Sequence, residues 1–134
     1  MIFVPMNERP KILVVDDEPD IVEILSYNLS KEDYEVHCAF DGNECLKKAY
    51  EVLPDLIILD IRMHGRSGIE VCRDLKQNET LRAIPILFLT ADSDEYTTMQ
   101  AAEAGGEHYI TKPIRPSVIL GLVREILQAS ESHQ

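Results

Sequence analysis

Four apolar runs in the sequence each end at polar residues suited to phosphate chemistry. Asp16 and Asp17 follow the first run, Asp60 the second, Thr90 the third and Lys112 the fourth. In an open parallel sheet the carboxyl ends of the strands lie along one edge, and ligands bind in the crevice there. Three carboxylates, a hydroxyl and an ammonium would therefore converge. Such a set can hold a divalent cation and carry a phosphoryl group on Asp60.

Strand patterns alternate with helical patterns along the chain, and this order predicts a parallel α/β sheet with a (βα)5 arrangement. The second predicted strand alternates apolar with polar residues, which suits an edge strand covered on one face only. The five strands are predicted at residues 11–16, 34–39, 55–60, 85–90 and 107–111.

Three helix starts are marked by local signals. Pro19 stands where the first helix begins, a position at which its missing N–H costs little. Asp41 with Glu44, and Ser67 with Glu70, have the spacing of a capping residue and an acid three positions later. These signals predict that the second and third helices begin just after Asp41 and Ser67.

The composition indicates one globular domain. The chain has 134 residues, of which 45% are hydrophobic, enough to bury a core. We predict a lead-in at residues 1–10, the domain at 11–128, and a polar tail or the start of a linker at 129–134. The net charge of −11 disfavours direct contact with nucleic acid.

Membrane insertion and a disulfide framework are both disfavoured. No apolar stretch approaches the roughly 20 residues that a membrane span needs. The three cysteines, an odd number, include no CxxC pair. We therefore expect reduced thiols and a cytoplasmic location.

The ordered set of polar residues resembles the receiver domain of bacterial two-component response regulators. The resemblance covers about residues 11–127 and implies a flavodoxin-like, doubly wound sheet of five parallel strands in the order 2-1-3-4-5. No single motif is specific, whereas the set with this spacing is. The residues that carry it are Asp16, Asp17, Asp60, Gly68, Thr90, Ala91, Tyr109, Lys112 and Pro113.

The resemblance implies that Asp60 is the phosphoacceptor and that the reaction depends on Mg2+. It assigns Asp17 and Asp60 as direct metal ligands, together with the backbone carbonyl of Arg62. Asp16 would support the ion, through water. Mg2+ commonly keeps several waters and binds one or two carboxylates plus phosphate oxygens, which agrees with this assignment.

The resemblance also assigns roles to residues around the phosphoryl group. Thr90 would offer its hydroxyl, Ala91 its backbone N–H and Lys112 its ammonium to the phosphoryl oxygens. The Lys112–Pro113 peptide bond would be cis, which aims the lysine at the crevice. Tyr109 would be a switch aromatic that turns inward when Thr90 moves to bond the phosphoryl group.

The implied function is that of a signalling phosphoacceptor rather than an enzyme, apart from self-catalysed phosphorylation and dephosphorylation. The implied partner is a sensor histidine kinase or a phosphotransfer protein. The surface of the fourth helix, fifth strand and fifth helix would carry the output, including a phosphorylation-dependent homodimer. The chain could be a complete regulator, or the receiver part of a longer DNA-binding transcriptional regulator.

Departures from the family pattern occur after Asp60. His64 stands where proline is usual, and Arg62 and Arg66 bring positive charge near the expected phosphoryl site. These changes bear on reaction rates more than on the reaction itself. A hydrolase of the haloacid-dehalogenase type is disfavoured, because it needs a second Asp where Arg62 stands. A pseudo-receiver that binds partners without phosphorylation is the other alternative.

Overall fold

Five parallel strands alternate with five helices in the computed structural model, which describes residues 9–91 and 95–131. The strands are β1 (Lys11–Val15), β2 (Glu35–Ala39), β3 (Leu56–Asp60), β4 (Ile86–Thr90) and β5 (His108–Thr111). The helices are α1 (Pro19–Ser30), α2 (Gly42–Val52), α3 (Gly68–Gln77), α4 (Glu95–Glu103) and α5 (Pro116–Glu131). The strand order is β2-β1-β3-β4-β5, so the predicted fold class and topology are confirmed and β2 is an edge strand.

The main differences from the predicted elements lie at their ends. Each observed strand is one residue shorter than predicted, at one end only. Helix α5 continues to Glu131, so the expected polar tail is partly helical. Residues 129–131 include no glycine or proline, and polarity alone does not end a helix. Residues 1–8 and 132–134, which hold most of the predicted lead-in and the end of the tail, lie outside the described residues.

The sheet separates two apolar cores. Leu13 and Val15 of β1 belong to one core, and Ile12 and Val14 belong to the other, because successive strand side chains point to opposite faces. Helices α2, α3 and α4 cover the first core, and α1 and α5 cover the second. Strands β3 and β4 are buried along their whole length, as expected for central strands covered on both faces.

The predicted helix starts are confirmed. Pro19 is the first residue of α1. The Asp41 side chain accepts a hydrogen bond from the backbone N–H of Glu44 at 2.8 Å, and Ser67 accepts one from Glu70 at 3.2 Å. These bonds satisfy N–H groups that have no partner within the helix. Local capping therefore sets where the segments after β2 and β3 become helical.

The three cysteines of the chain form no disulfide bond. Cys38, Cys45 and Cys72 are free, and the last two are buried. Burial raises the pKa of the Cys45 thiol to about 12, so this group is unreactive in the folded protein.

Among the helices formed by the described residues, none is long and apolar enough to cross a membrane.

Gly68 brings the start of α3 against the end of β3. Its backbone N–H donates to the Ile61 carbonyl oxygen at 2.8 Å. A Cβ atom at this position would overlap the Asp60 carbonyl oxygen and would lie 3.0 Å from the Ile61 Cα. Backbone atoms cannot move aside as a flexible side chain can. Only glycine therefore allows the loop between β3 and α3 to close this tightly beneath Asp60.

We expect Gly68→Ala to lower the free energy of unfolding by about 1–3 kcal/mol, because the added methyl overpacks a rigid backbone contact. Gly121→Ala is the matched control, since a Cβ there meets no atom within 4 Å and the residue lies inside α5. The control should gain about 0.5–1 kcal/mol from helix propensity. Urea denaturation measures both changes, and equal effects of the two substitutions would contradict this role of Gly68.

Candidate functional site

The predicted site residues come together at the carboxyl edge of the sheet. Asp16 directly follows β1, Asp60 and Thr90 are the last residues of β3 and β4, and Lys112 directly follows β5. These four strands are consecutive neighbours, so their ends form one continuous crevice. Carboxylate oxygens of Asp16, Asp17 and Asp60 lie within 4.8 Å of one another.

The Lys112 ammonium lies among the acids. Its Nζ is 3.2 Å from Oδ2 of Asp16, 3.4 Å from Oδ2 of Asp60 and 3.4 Å from Oε1 of Glu18. The Lys112 backbone N–H donates to the Thr90 carbonyl oxygen at 2.7 Å, which ties the segment after β5 to the end of β4. The Lys112–Pro113 peptide bond is cis. The Lys112 ammonium is therefore shared by several carboxylates.

Burial makes this cluster electrostatically costly. Asp16 is 0% exposed and Asp60 is 2% exposed. Burial, with the nearby charge of Asp16, raises the pKa of Asp60 to about 7, although Lys112 acts in the opposite direction. Burial also acts to lower the pKa of Lys112, but the carboxylates of Asp60 and Asp16 outweigh it and raise that pKa overall. One lysine therefore compensates the cluster incompletely.

Both carboxylate oxygens of Asp16 contact protein groups. Oδ1 accepts from the Glu18 N–H at 2.9 Å, and the buried Oδ2 is 3.2 Å from the Lys112 Nζ, which is shared with Asp60 and Glu18. Three converging carboxylates that share one ammonium form a donor set of the kind that hard divalent cations such as Mg2+ prefer. The residues present thus fit a divalent cation.

His64 is a site residue that the sequence analysis did not assign. Its backbone N–H and its ring Nδ1 both contact Oδ2 of Asp17, at 2.9 and 2.7 Å. The backbone hydrogen bond from His64 is the main reason that the pKa of Asp17 is lowered. The available signal was the departure at this position, a histidine where the family pattern has proline, but nothing in the sequence indicated its partner.

The two arginines of the same loop differ in placement. Arg62 is exposed, and its backbone N–H lies 3.4 Å from Oδ1 of Asp60. The Arg66 guanidinium is bound to Asp74, and its Nε is 4.0 Å from Glu70. The charge of Arg66 is therefore paired with acids on α3, and its effect on the phosphoryl site stays a prediction.

Tyr109 already packs against the protein interior. Its ring stacks on Phe88 with centroids 6.0 Å apart, and its hydroxyl donates to the Gly106 carbonyl oxygen at 2.8 Å. Thr90, 7% exposed, lies two residues beyond Phe88 on β4 and pairs with Thr111 of β5. Ala91 is exposed beside it. The coupled movement of Thr90 and Tyr109 stays a prediction.

A groove leads from the surface to the acids. It has a volume of about 620 Å³ and lies between the loop after β3 and helix α4. Its wall includes Asp17, Arg62, His64, Thr97 and Gln100. The groove therefore borders the acid cluster at Asp17.

The family model for the response regulator receiver domain matches residues 12–124. The chain belongs to this family. The PhoP alkaline phosphatase synthesis transcriptional regulatory protein of Bacillus subtilis is 46% identical over 121 residues, which are 90% of this chain and 50% of that protein. The chain therefore spans about half the length of this curated relative.

Solved receiver structures match nearly end to end. The CheY4 chemotaxis protein of Vibrio cholerae has a TM-score of 0.85 at 30% identity, covering 88% of this chain and 98% of that one. A CheY-like receiver domain protein of Methanospirillum hungatei has a TM-score of 0.89 at 25% identity, covering 94% and 99%. The chain is thus a receiver domain of a two-component response regulator, a class that interacts with histidine kinases or phosphotransfer proteins and generally binds Mg2+ at its acidic cluster.

In the absence of divalent cations we expect Asp60→Asn to stabilise the receiver domain, increasingly as the pH rises. The folded-state pKa of about 7 exceeds the ordinary 3.8, so the folded protein holds a proton that the unfolded chain has lost. The contribution of the Asp60 carboxyl to the free energy of unfolding therefore falls as the pH rises from about 4 to about 7. The advantage of the variant should grow by about 2 kcal/mol between about pH 5 and pH 8.

Asp33→Asn is the control, because Asp33 is exposed and its positive φ of 65° suits asparagine. Urea denaturation in EDTA at several pH values measures both variants. A constant difference between wild type and Asp60→Asn across this range would show that the Asp60 carboxyl is not perturbed as described.

Proposed function

We propose that this receiver domain accepts a phosphoryl group on Asp60 from a histidine kinase or phosphotransfer protein, in a Mg2+-dependent reaction. The observation that carries the proposal is the burial of the Asp60 carboxylate beside Lys112 and two further carboxylates. A structural capping acid does not need that environment. Beyond its own phosphorylation and dephosphorylation, the domain catalyses no reaction in this proposal.

The proposed Mg2+ ligands are Asp17, Asp60 and the backbone carbonyl of Arg62, with Asp16 acting through water. The ion would supply positive charge to offset the carboxylates and the phosphoryl oxygens. The convergence of oxygens from Asp16, Asp17 and Asp60 within 4.8 Å supports this assignment. The Lys112 ammonium bridges Asp16 and Asp60.

The proposed transfer is an in-line displacement at phosphorus. An oxygen of Asp60 forms a bond to the phosphorus of a phosphohistidine while the bond from phosphorus to the imidazole nitrogen breaks, and the electron pair leaves with the imidazole. Lys112, 3.4 Å from Asp60 before reaction, would then contact the phosphoryl oxygens. The Thr90 hydroxyl and the Ala91 N–H would contact them from the end of β4. Such positioning and charge neutralisation are what phosphoryl transfer requires.

We expect acetyl phosphate with Mg2+ to add one phosphoryl group to the wild-type protein and none to Asp60→Asn. Intact-mass measurement detects the adduct, and EDTA should abolish it. Asp74→Asn is the control, since Asp74 lies on α3 and binds Arg66. A wild type that binds its kinase but gains no phosphoryl group would identify a pseudo-receiver. Equal labelling of wild type and Asp60→Asn would place the phosphoacceptor elsewhere.

We further propose that the α4-β5-α5 surface is the output face and that a second copy of the domain binds there. Tyr96 and Met99 of α4 and Val118 of α5 are exposed apolar side chains. A cavity of about 440 Å³ beside β5 is lined by Tyr109, Arg115 and other residues of this segment.

Charge on this surface suits a two-fold contact. Glu95 and Glu103 lie on α4, whereas Arg115 precedes α5 and Arg124 lies on it, and all four are exposed. A two-fold axis pairs one patch with its own copy, so acids on one helix can meet bases on the next. Exposed ion pairs contribute only about 0–1 kcal/mol each, so phosphorylation would act by shifting the conformational population.

We expect beryllofluoride, a phosphoryl mimic on Asp60, to raise the dimer fraction, because it favours the conformation in which this surface is complementary. Sedimentation velocity over a concentration series measures the shift. Thr90→Ala should weaken the response, and Thr80→Ala, an exposed threonine after α3, is the control. Unchanged sedimentation together with unchanged NMR signals around Tyr109 would exclude this face as the output.

The location and the output of the whole protein are also proposals. We propose a cytoplasmic location, where the three free thiols stay reduced. The similarity to the transcriptional regulatory protein PhoP supports a longer regulator in which this receiver controls a DNA-binding part. The net charge of −11 argues that the receiver itself does not bind nucleic acid.

A further inference from the structure

Each of the three aspartates in the crevice is in contact with another group of the protein. Lys112 contacts Asp16 and Asp60, whereas Asp17 is held by His64. The two contacts from His64 fall on the same oxygen, Oδ2, and come from the loop between β3 and α3, 47 positions along the chain. His64 thus joins the loop that carries Arg62 to the acid that follows β1.

The chemistry of the pair sets the direction of the ring hydrogen bond. An ionised carboxylate only accepts hydrogen bonds, so Nδ1 at 2.7 Å must carry the proton that it shares with Asp17. The ring therefore presents a positive hydrogen, and no lone pair, to the acid cluster at this atom. Nδ1 cannot act as a metal ligand in this position, because it is protonated. Its hydrogen bond also uses a lone pair of Oδ2 that a bound cation would need.

We propose that His64 competes with the divalent cation for Asp17, so that its ring holds the loop on the acids in the metal-free protein and lowers the cation affinity. This inference rests on the proposed function, in which Asp17 is a Mg2+ ligand. His64 is a positioning residue here and does not contact the phosphoryl group. The effect is moderate, because the His64 side chain is fully exposed and water screens the contact.

The test is isothermal titration calorimetry of Mg2+ binding to the full chain, at one pH and in one buffer for all variants. We expect His64→Ala to bind Mg2+ about three- to tenfold more tightly, as the loss of one exposed hydrogen bond to a charged group implies. His64→Asn keeps a side-chain N–H donor at a similar position and should stay near the wild-type affinity.

His37→Ala is the matched control. His37 makes a contact of the same length, 2.7 Å, with Glu35, but it lies on β2 in register with Leu13 and outside the crevice. Its replacement should leave Mg2+ affinity unchanged. Circular dichroism establishes that each variant is folded before titration, and His64→Asn provides a second reading of the contact should His64→Ala unfold.

A second readout follows the ring itself. In the wild type, saturating Mg2+ should shift the 15N signals of His64 as Nδ1 leaves Asp17, while the His37 signals stay in place. An unchanged or weaker Mg2+ affinity of His64→Ala, or His64 signals that do not respond to Mg2+, would overturn the inference. If the wild type binds no Mg2+ at all, the proposed function fails as well, so the two failures are distinguishable.

Discussion

Two buried carboxylates, Asp16 and Asp60, share one ammonium group in a crevice that also holds Asp17. Carboxylates whose oxygens lie within 4.8 Å of one another cannot all stay ionised without a cost in free energy. The raised pKa of Asp60 indicates that Lys112 compensates their charge incompletely. The two apolar cores have to stabilise the fold enough to carry this local cost. A divalent cation would relieve this cost, because it would place further positive charge among the carboxylates.

The scaffold holds these groups through backbone contacts that leave little freedom. Central strands buried on both faces end at the acids and at Thr90, so their last side chains cannot slip without disrupting both cores. Gly68 lets the loop between β3 and α3 close directly against Asp60. The hydrogen bond from the Lys112 N–H to the Thr90 carbonyl oxygen fixes the start of the segment between β5 and α5. Rigid placement of this kind reduces the reorganisation needed when a phosphoryl group arrives.

The loop after β3 distinguishes this receiver domain from the family pattern. A histidine in place of the usual proline adds a backbone N–H and an imidazole, and both turn toward Asp17. Arg66, in the same loop, binds Asp74 on α3. The loop is therefore anchored at two points by polar contacts instead of by the restricted backbone of proline. In this domain the departures alter the surroundings of the acids and leave the acids themselves in place.

The sequence by itself determined the alternating (βα)5 architecture, the helix starts at Pro19, Asp41 and Ser67, and the meeting of Asp16, Asp60, Thr90 and Lys112, whereas the strand order was implied by the family resemblance. Those features depend on local periodicity, on capping within four residues and on the rule that parallel strands end at one edge. Only the tertiary structure decided that His64 contacts Asp17, that Arg66 binds Asp74, and that Tyr109 packs on Phe88. These contacts depend on loop conformation and rotamers, which are set by neighbours distant in the chain. The raised pKa of Asp60 likewise arises from burial and from Asp16, which become its neighbours only when the sheet is assembled.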